Sequence, residues 1–130
     1  MNDIKVDPFA MYFDLITGMS DERKPTRRFL SQMRGMYADD VAYETAVSAN
    51  DEIVYDFYEL GLPETPGNLL FGTSIVYPGK VGSEYFMTKG HFHTILDTAE
   101  VYYCLSGKGY MLMENPEGDW DAQLLTPGRA

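Results

Sequence analysis

Short apolar segments separated by glycine- and proline-rich turns fill the chain from Leu69 onward, and this pattern constrains the fold more than any other feature. The segments are rich in β-branched and aromatic residues, as strands are. They cover 69–77, 84–88, 100–105, 110–114 and 120–125. Short strands at this spacing are typical of a β-sandwich or a small barrel. The sequence therefore predicts a mainly all-β fold.

The N-terminal arm, residues 1–25, is weakly patterned but too apolar for a disordered tail. Its apolar residues are Phe9, Met11, Tyr12, Phe13, Leu15 and Ile16. Such residues gain free energy when they are buried, so we expect the arm to pack on this domain or on a second copy.

The segment after the arm predicts two strands around one short helix. Residues 26–33 indicate a short strand, and the helix begins at Asp39–Asp40, where acidic residues suit a first turn, and ends before Asn50. Alternation over 53–60 predicts a strand with one face formed by Val54, Asp56 and Tyr58. A loop is predicted over 61–68, where the turn-forming residues are Pro63, Pro66 and Gly67.

Composition excludes several classes of function. At 130 residues and 45% hydrophobic content, the chain predicts one domain with one core. A formal net charge of -10 argues against nucleic acid or an anionic membrane as a partner, because phosphates are bound through excess Lys and Arg. The single cysteine, Cys104, rules out an internal disulfide framework. No apolar run is long enough to span a membrane and no leader pattern opens the chain, so we expect a cytoplasmic protein.

Both histidines of the protein lie in the segment Gly90-His91-Phe92-His93. On an extended strand their side chains project to the same side, about 6–7 Å apart along the backbone. A polar turn at Asp97-Thr98 would let the following strand return and bring Glu100 near both rings. Two nitrogens and one oxygen suit a divalent first-row metal, and this donor set does not choose among iron, manganese, nickel and zinc. The alternative is that these side chains are simply exposed on neighbouring strands.

Tyr102 and three arginines are further candidates for the site. Tyr102 lies two residues beyond Glu100, and therefore on the same face of the predicted strand. The other tyrosines on predicted strands are better interpreted as core residues. Arg27, Arg28 and Arg34 could meet a substrate phosphate, but surface pairing with the many acidic residues is the favoured interpretation.

Four motifs together resemble the cupin-type glucose-6-phosphate isomerase family. They are Val76-Tyr77-Pro78-Gly79-Lys80-Val81-Gly82, Thr88-Lys89-Gly90-His91-Phe92-His93, Ala99-Glu100-Val101-Tyr102 and Gly107-Lys108-Gly109. Their order and spacing are similar to the family over roughly 50–128. Residues 94–99 separate His93 from Glu100, a longer interval than most cupins have, and the isomerase family shares it.

The resemblance implies a cupin β-barrel or jelly-roll homodimer that interconverts glucose 6-phosphate and fructose 6-phosphate in glycolysis and gluconeogenesis. It implies that His91, His93 and Glu100 bind a divalent metal, with Fe²⁺ expected before Mn²⁺, Ni²⁺ or Zn²⁺. The remaining positions it implies surround the substrate: Thr73 or Ser74, Thr88 and Gly90 near the sugar phosphate, and Tyr55 and Tyr102 lining the cavity. Glu100 and Tyr102 are the catalytic candidates, with either proton transfer through an enediol or a hydride shift as the route.

One departure from the family stands out. Cupins supply a further histidine ligand from a second motif that begins near a Pro-Gly such as Pro127-Gly128, whereas this chain stops at Ala130. We therefore expect a single cupin domain over 1–130 that lacks the C-terminal part of the barrel. Two alternatives to the isomerase follow. One is a non-catalytic or regulatory cupin that binds a metal or sugar phosphate without turnover. The other is a cupin enzyme of different specificity, which the Thr88-Lys89-Gly90 motif disfavours.

Overall fold

The computed structural model describes residues 10–61, 65 and 68–130. Its elements are strand β1 (Thr26–Phe29), a 3-10 helix (Leu30–Met33), helix α1 (Asp40–Ala49), and strands β2 (Ile53–Glu59), β3 (Gly72–Val76), β4 (Lys80–Val81), β5 (Glu84–Tyr85), β6 (Gly109–Glu114) and β7 (Trp120–Leu125). Strands with one short α-helix confirm the predicted all-β class. Among these residues the sheets do not close into a barrel: β1, β2 and β3 form one sheet, β4 and β5 a second, and β6 and β7 a third.

The chain divides into two compact units. The first combines Met1–Asp14 with Met19–Lys89, and the second combines Leu15–Gly18 with Gly90–Ala130. Within the first unit, β1, β2 and β3 form an antiparallel sheet in that order. The predicted alternation of β2 is confirmed, because Val54, Asp56 and Tyr58 are all buried.

The core of the first unit lies between this sheet, the helices and the following hairpin. Its buried members are Leu30, Met33, Tyr37, Tyr43, Val54, Val81 and Phe86. Tyr43 joins packing to hydrogen bonding, since its ring stacks on Tyr37 at 6.0 Å and its hydroxyl donates to the Leu30 carbonyl at 2.9 Å. A buried tyrosine hydroxyl with an acceptor avoids the free-energy cost of an unsatisfied polar group.

Helix α1 begins and ends where the sequence predicts. The Asp39 carboxylate accepts a hydrogen bond from the Ala42 amide at 2.8 Å, and Asp40 places a negative charge in the first turn. At the other end, the Asn50 amide donates to the Ala46 carbonyl at 3.0 Å while Asn50 itself is extended. The acidic cap satisfies an amide that has no partner inside the helix.

Two predicted strands of the first unit differ from the observed ones. The strand predicted over 26–33 ends at Phe29, where the register with β2 shifts and the Gln32 side chain accepts a hydrogen bond from the Phe29 amide at 2.9 Å. Leu30 and Met33 then form one 3-10 turn, whose three-residue period places both apolar side chains in the core. The strand predicted over 69–77 begins only at Gly72, after exposed Leu69.

In the second unit, β6 and β7 lie over two of the predicted strands and pair as an antiparallel hairpin. Their register runs from Gly109 opposite Leu125 to Glu114 opposite Trp120. Asn115 closes the connection, since its side-chain oxygen accepts from the Asp119 amide at 2.8 Å. An asparagine side chain that binds the backbone in this way is typical of a tight turn.

The strands predicted through the histidine segment and over 100–105 are wrong. The strand before the histidines stops at Tyr85, and neither the histidines nor 100–105 lie in a strand. Cys104 does exchange backbone hydrogen bonds with the end of the chain, donating to Arg129 at 2.8 Å and accepting from Gly128 at 3.0 Å. One such exchange is too short to continue as a ladder.

The arm is described from Ala10, so Phe9 lies outside the described residues. In the first unit, Phe13 packs edge to face on Phe71 at 6.2 Å between ring centroids. This part of the arm therefore contacts its own chain, one of the two predicted outcomes. In the predicted loop, Pro63, Pro66 and Gly67 also lie outside the described residues. Across the described ranges, no helix has the length and apolar character needed to cross a membrane.

Candidate metal and substrate site

A tight turn in the second unit brings His93 and Glu100 together. The turn closes where the Thr98 amide donates to the Ile95 carbonyl at 3.2 Å and the Thr98 hydroxyl donates to the same carbonyl at 2.7 Å. Across it, His93 Nε2 lies 3.0 Å from Glu100 Oε2. The sequence therefore predicted this proximity correctly, although a turn outside the strands produces it rather than a pair of strands.

The His93 ring is held from its other side as well. Its Nδ1 lies 2.9 Å from the Thr98 hydroxyl oxygen and 3.2 Å from the Thr98 carbonyl oxygen. The His91 ring lies beside it, with 5.8 Å between the two ring centroids. The side chains of His93 and Glu100 are 29% and 44% exposed, so a small molecule can reach them.

Tyr102 completes this group through Glu100. Partial burial, a hydrogen bond to the Glu100 carboxylate and the negative charge of that group together raise the pKa of Tyr102 to about 12. The phenol is therefore a neutral hydrogen-bond donor at physiological pH. The structure brings together His91, His93, Glu100 and Tyr102, four of the residues that the sequence singled out.

The types of ligand in this group suit a divalent metal, but their arrangement suits it only in part. Two imidazoles and a carboxylate are ligands that first-row divalent metals accept. His93 and Glu100 already face one another, and the Thr98 contact on Nδ1 is the kind of outer support that metal-binding histidines have. Within 10–61, 65 and 68–130, however, no three His, Cys, Asp or Glu side chains converge closely enough to hold an ion.

The first unit sorts the predicted phosphate residues by sheet face. Phe57 pairs with Ser74 and Tyr58 with Thr73 in the β2–β3 ladder. Because side chains alternate along a strand, Tyr55 shares a face with Phe57 and Ser74, while Thr73 lies on the opposite face. Ser74 and Tyr55 therefore share one face of the sheet, and Thr73 does not.

Thr88 and Gly90 stand outside the regular elements. Thr88 is exposed and belongs to the first unit, and Gly90 belongs to the second. Gly90 has a φ of 66°, a backbone conformation that residues with a Cβ rarely adopt. A glycine at this position is therefore required by the backbone, whatever its amide binds.

The sequence interpretation overlooked two features. The sequence predicts a turn at Thr98, but no sequence pattern indicates that the Thr98 hydroxyl contacts His93. The second is the buried Asp56, which accepts from Arg27 and from the Tyr77 hydroxyl. The predicted surface pairing is confirmed for Arg34, which pairs with exposed Glu44, whereas Arg27 pairs with Asp56, whose side chain is fully buried.

Comparison with known proteins gives one consistent family. The family model described as Glucose-6-phosphate isomerase (GPI) matches residues 26–125. The chain is 43% identical over 122 residues to a glucose-6-phosphate isomerase of Thermococcus litoralis, covering 94% of this chain and 64% of the relative. It is 45% identical over 122 residues to that of Pyrococcus furiosus, covering 94% of this chain and 65% of the relative.

A third relative agrees with these two. The chain is 46% identical over 121 residues to a glucose-6-phosphate isomerase of Thermococcus gammatolerans, covering 93% of this chain and 64% of the relative. The chain therefore spans 64% to 65% of the length of these three curated relatives.

Proposed function

The chain belongs to the glucose-6-phosphate isomerase family, and we propose that it catalyses the metal-dependent interconversion of glucose 6-phosphate and fructose 6-phosphate, a step of glycolysis and gluconeogenesis. The observation that carries the proposal is the His93–Glu100 pair, 3.0 Å apart and supported by Thr98. Family membership is the basis for the proposed substrate, and this pair is the basis for the proposed reaction site.

His91, His93 and Glu100 are the residues that would hold a divalent metal. When bound, such an ion supplies Lewis-acid polarisation of sugar oxygens at the carbons where the hydrogen is exchanged. Glu100 orients the Tyr102 hydroxyl by accepting its hydrogen bond. Because that bond uses the single hydrogen of the phenol, the Tyr102 oxygen is left to accept a hydrogen bond from a sugar hydroxyl.

In the first unit we propose Ser74 as a phosphate-binding hydroxyl and Tyr55 as a contact of the sugar, and in the second unit, separately, Gly90 as a phosphate-binding amide. A hydroxyl and a backbone amide donate hydrogen bonds to phosphate oxygens without requiring an arginine. This suits a chain whose Arg27 and Arg34 are already paired with carboxylates. We keep Thr73 and Thr88 as alternatives for the same role, although Thr73 lies on the opposite sheet face from Tyr55.

A coupled assay on the 130-residue chain tests the proposal. Metal is removed, and Fe²⁺, Mn²⁺, Ni²⁺ or Zn²⁺ is added back separately before fructose 6-phosphate is supplied. Metal-dependent formation of glucose 6-phosphate supports the isomerase. Stoichiometric metal binding without turnover would instead support the non-catalytic cupin, and turnover that is equal with and without metal would overturn the metal dependence.

Tyr102→Phe is expected to weaken fructose 6-phosphate binding by several fold while leaving the fold intact. The substitution removes one hydroxyl, and a single hydrogen bond contributes about 1 kcal/mol. Tyr103→Phe is the matched control, because Tyr103 is the adjacent tyrosine and is 60% exposed. Titration calorimetry of both variants measures the effect. An unaltered affinity in Tyr102→Phe would assign that side chain to packing alone.

We further propose that the chain acts as a homodimer. In the described part of the second unit, β6 pairs only with β7, and a lone two-stranded hairpin is marginal in water. The hairpin also exposes Tyr110, Leu112 and Trp120, each by about two thirds or more, which favours coverage by another surface. Sedimentation velocity is expected to give a dimer at micromolar concentration. A stable monomer would contradict this proposal.

A further inference from the structure

The Thr98 hydroxyl lies between two groups that fix what it can do. It lies 2.7 Å from the Ile95 carbonyl oxygen and 2.9 Å from His93 Nδ1. A carbonyl oxygen only accepts hydrogen bonds, and a hydroxyl carries a single hydrogen. That hydrogen is therefore directed to Ile95, and Thr98 Oγ1 meets the imidazole as an acceptor.

His93 Nδ1 must consequently carry a hydrogen. Its second neighbour, the Thr98 carbonyl oxygen at 3.2 Å, is also an acceptor. With acceptors on both contacts, an unprotonated Nδ1 would face two oxygen lone pairs without a hydrogen between them. The same ring orientation turns Nε2 toward the Glu100 carboxylate, 3.0 Å from Oε2, where a divalent metal would take the place of the hydrogen between the two atoms.

We propose that Thr98 is a positioning residue for His93, and that by accepting from Nδ1–H it holds the ring with Nε2 directed to the position where a divalent metal would bind. The inference rests on the metal site of the proposed function. A metal-binding histidine is oriented by the hydrogen bond of its other nitrogen, and removal of such outer partners typically costs 10- to 100-fold in metal affinity. Thr98 supplies that bond from the turn that also brings Glu100 into place.

The first test does not require a metal. In spectra of the metal-free protein labelled with ¹⁵N, the His93 Nδ1–H proton is expected as a distinct signal, protected from exchange with water. Thr98→Val keeps the shape and removes the hydroxyl, so we expect exchange of this proton to accelerate about tenfold. Thr98→Ser restores the hydroxyl and is expected to restore protection. Absence of the signal from the unmodified chain, or equal exchange in Thr98→Val and Thr98→Ser, would overturn the proposal.

The second test measures metal affinity by calorimetry with Zn²⁺. Thr98→Val is expected to weaken binding about tenfold, at the lower end for an outer partner because the Thr98 carbonyl remains. Thr98→Ser is expected to stay within about threefold of the unmodified chain, since its hydroxyl preserves the contact. Thr94→Val, which makes the same chemical change at the exposed threonine beside His93, serves as the control for an effect of the substitution itself.

The two tests separate the inference from the proposed function. If the unmodified chain binds no metal and the exchange experiment still follows the hydroxyl, the metal site fails and the orienting role of Thr98 holds. If metal binds and Thr98→Val binds it as tightly as Thr94→Val does, the metal site holds and the positioning role is overturned.

Discussion

His93→Ala is expected to weaken metal binding by more than about 100-fold, the upper end for the loss of an outer partner, because it removes a ligand itself. The same substitution is expected to abolish metal-dependent turnover. His93 is the central member of its group, in contact with Thr98 on one nitrogen and with Glu100 on the other. Elemental analysis of the purified variant and the coupled assay measure the two effects.

The same substitution should leave the free energy of unfolding within about 1 kcal/mol of the unmodified chain. Exposed ion pairs contribute little to stability, and the His93 and Glu100 side chains are 29% and 44% exposed. Urea denaturation therefore distinguishes loss of the site from loss of the fold. Thr94→Ala, at the neighbouring exposed residue, is the matched control and should retain metal.

His91→Ala and Glu100→Gln extend this prediction to the other two donors. His91 lies 5.8 Å from His93 between ring centroids and would have to turn to share an ion with it. Glu100→Gln keeps the shape but removes the negative charge that a divalent cation requires. Both variants should lose stoichiometric metal. If all three variants retain the metal content of the unmodified chain, these side chains are not its ligands.

The parts of the fold that the sequence predicted well are those with a local cause. Helix α1 has its cap in Asp39, three residues from the amide that it accepts from. Strand β2 carries its own two-residue period, and the β6–β7 hairpin is closed by Asn115 at the turn. In each case the deciding interaction joins residues a few positions apart, so the local sequence pattern is enough to predict it.

The histidine segment shows where such reasoning stops. Residues 100–105 have the composition of a strand, but a strand also requires a partner along its length, and composition does not specify one. The observed partner is the end of the chain, joined through Cys104. The contact of His93 with Glu100 was nevertheless predicted, because a turn at Asp97-Thr98 is enough to make it.

Asp56→Asn carries the largest expected effect on stability, about 3 kcal/mol. The Asp56 side chain is fully buried, and its two oxygens accept from Arg27 Nε and Arg27 Nη2, each at 2.8 Å. The Tyr77 hydroxyl adds a third hydrogen bond at 2.9 Å. Asparagine would turn an amide donor toward the Arg27 donors, and disrupting a buried charged network costs several kcal/mol.

The Arg27–Asp56–Tyr77 network could not be predicted from the sequence. The alternation of β2 predicts that Asp56 shares a face with Val54 and Tyr58, but its cationic partner lies 29 positions earlier, on β1. The β1–β2 register sets Arg27 opposite Asp56, and no local spacing reports that register. Tyr77, which the resemblance singled out only as part of a motif, thus has a structural role.

Low pH should reduce the contribution of Asp56 to the free energy of unfolding. The hydrogen bond and charge of Arg27, together with the Tyr77 hydroxyl, lower the pKa of Asp56 in the folded chain despite its burial. The unfolded chain, with an ordinary aspartate pKa of about 3.9, therefore takes up the proton first as the pH falls. The stabilisation by Asp56 is complete above the pKa of the unfolded chain. It is lost as the pH falls from there through the lower pKa that Asp56 has in the folded chain.

Urea denaturation at neutral pH and at about pH 3 tests the stabilisation by Asp56 and its dependence on pH. The acidic condition is chosen because pH 3 lies below the ordinary aspartate pKa. At neutral pH, Asp56→Asn should unfold at markedly lower urea than Glu59→Gln, which neutralises an exposed acid on the same strand. At the acidic pH the gap between the two variants should narrow, because the unmodified Asp56 has lost part of its advantage. Equal midpoints at neutral pH would show that the Arg27–Asp56–Tyr77 network does not stabilise the sheet, and a constant gap would show that its stabilisation does not depend on the Asp56 charge.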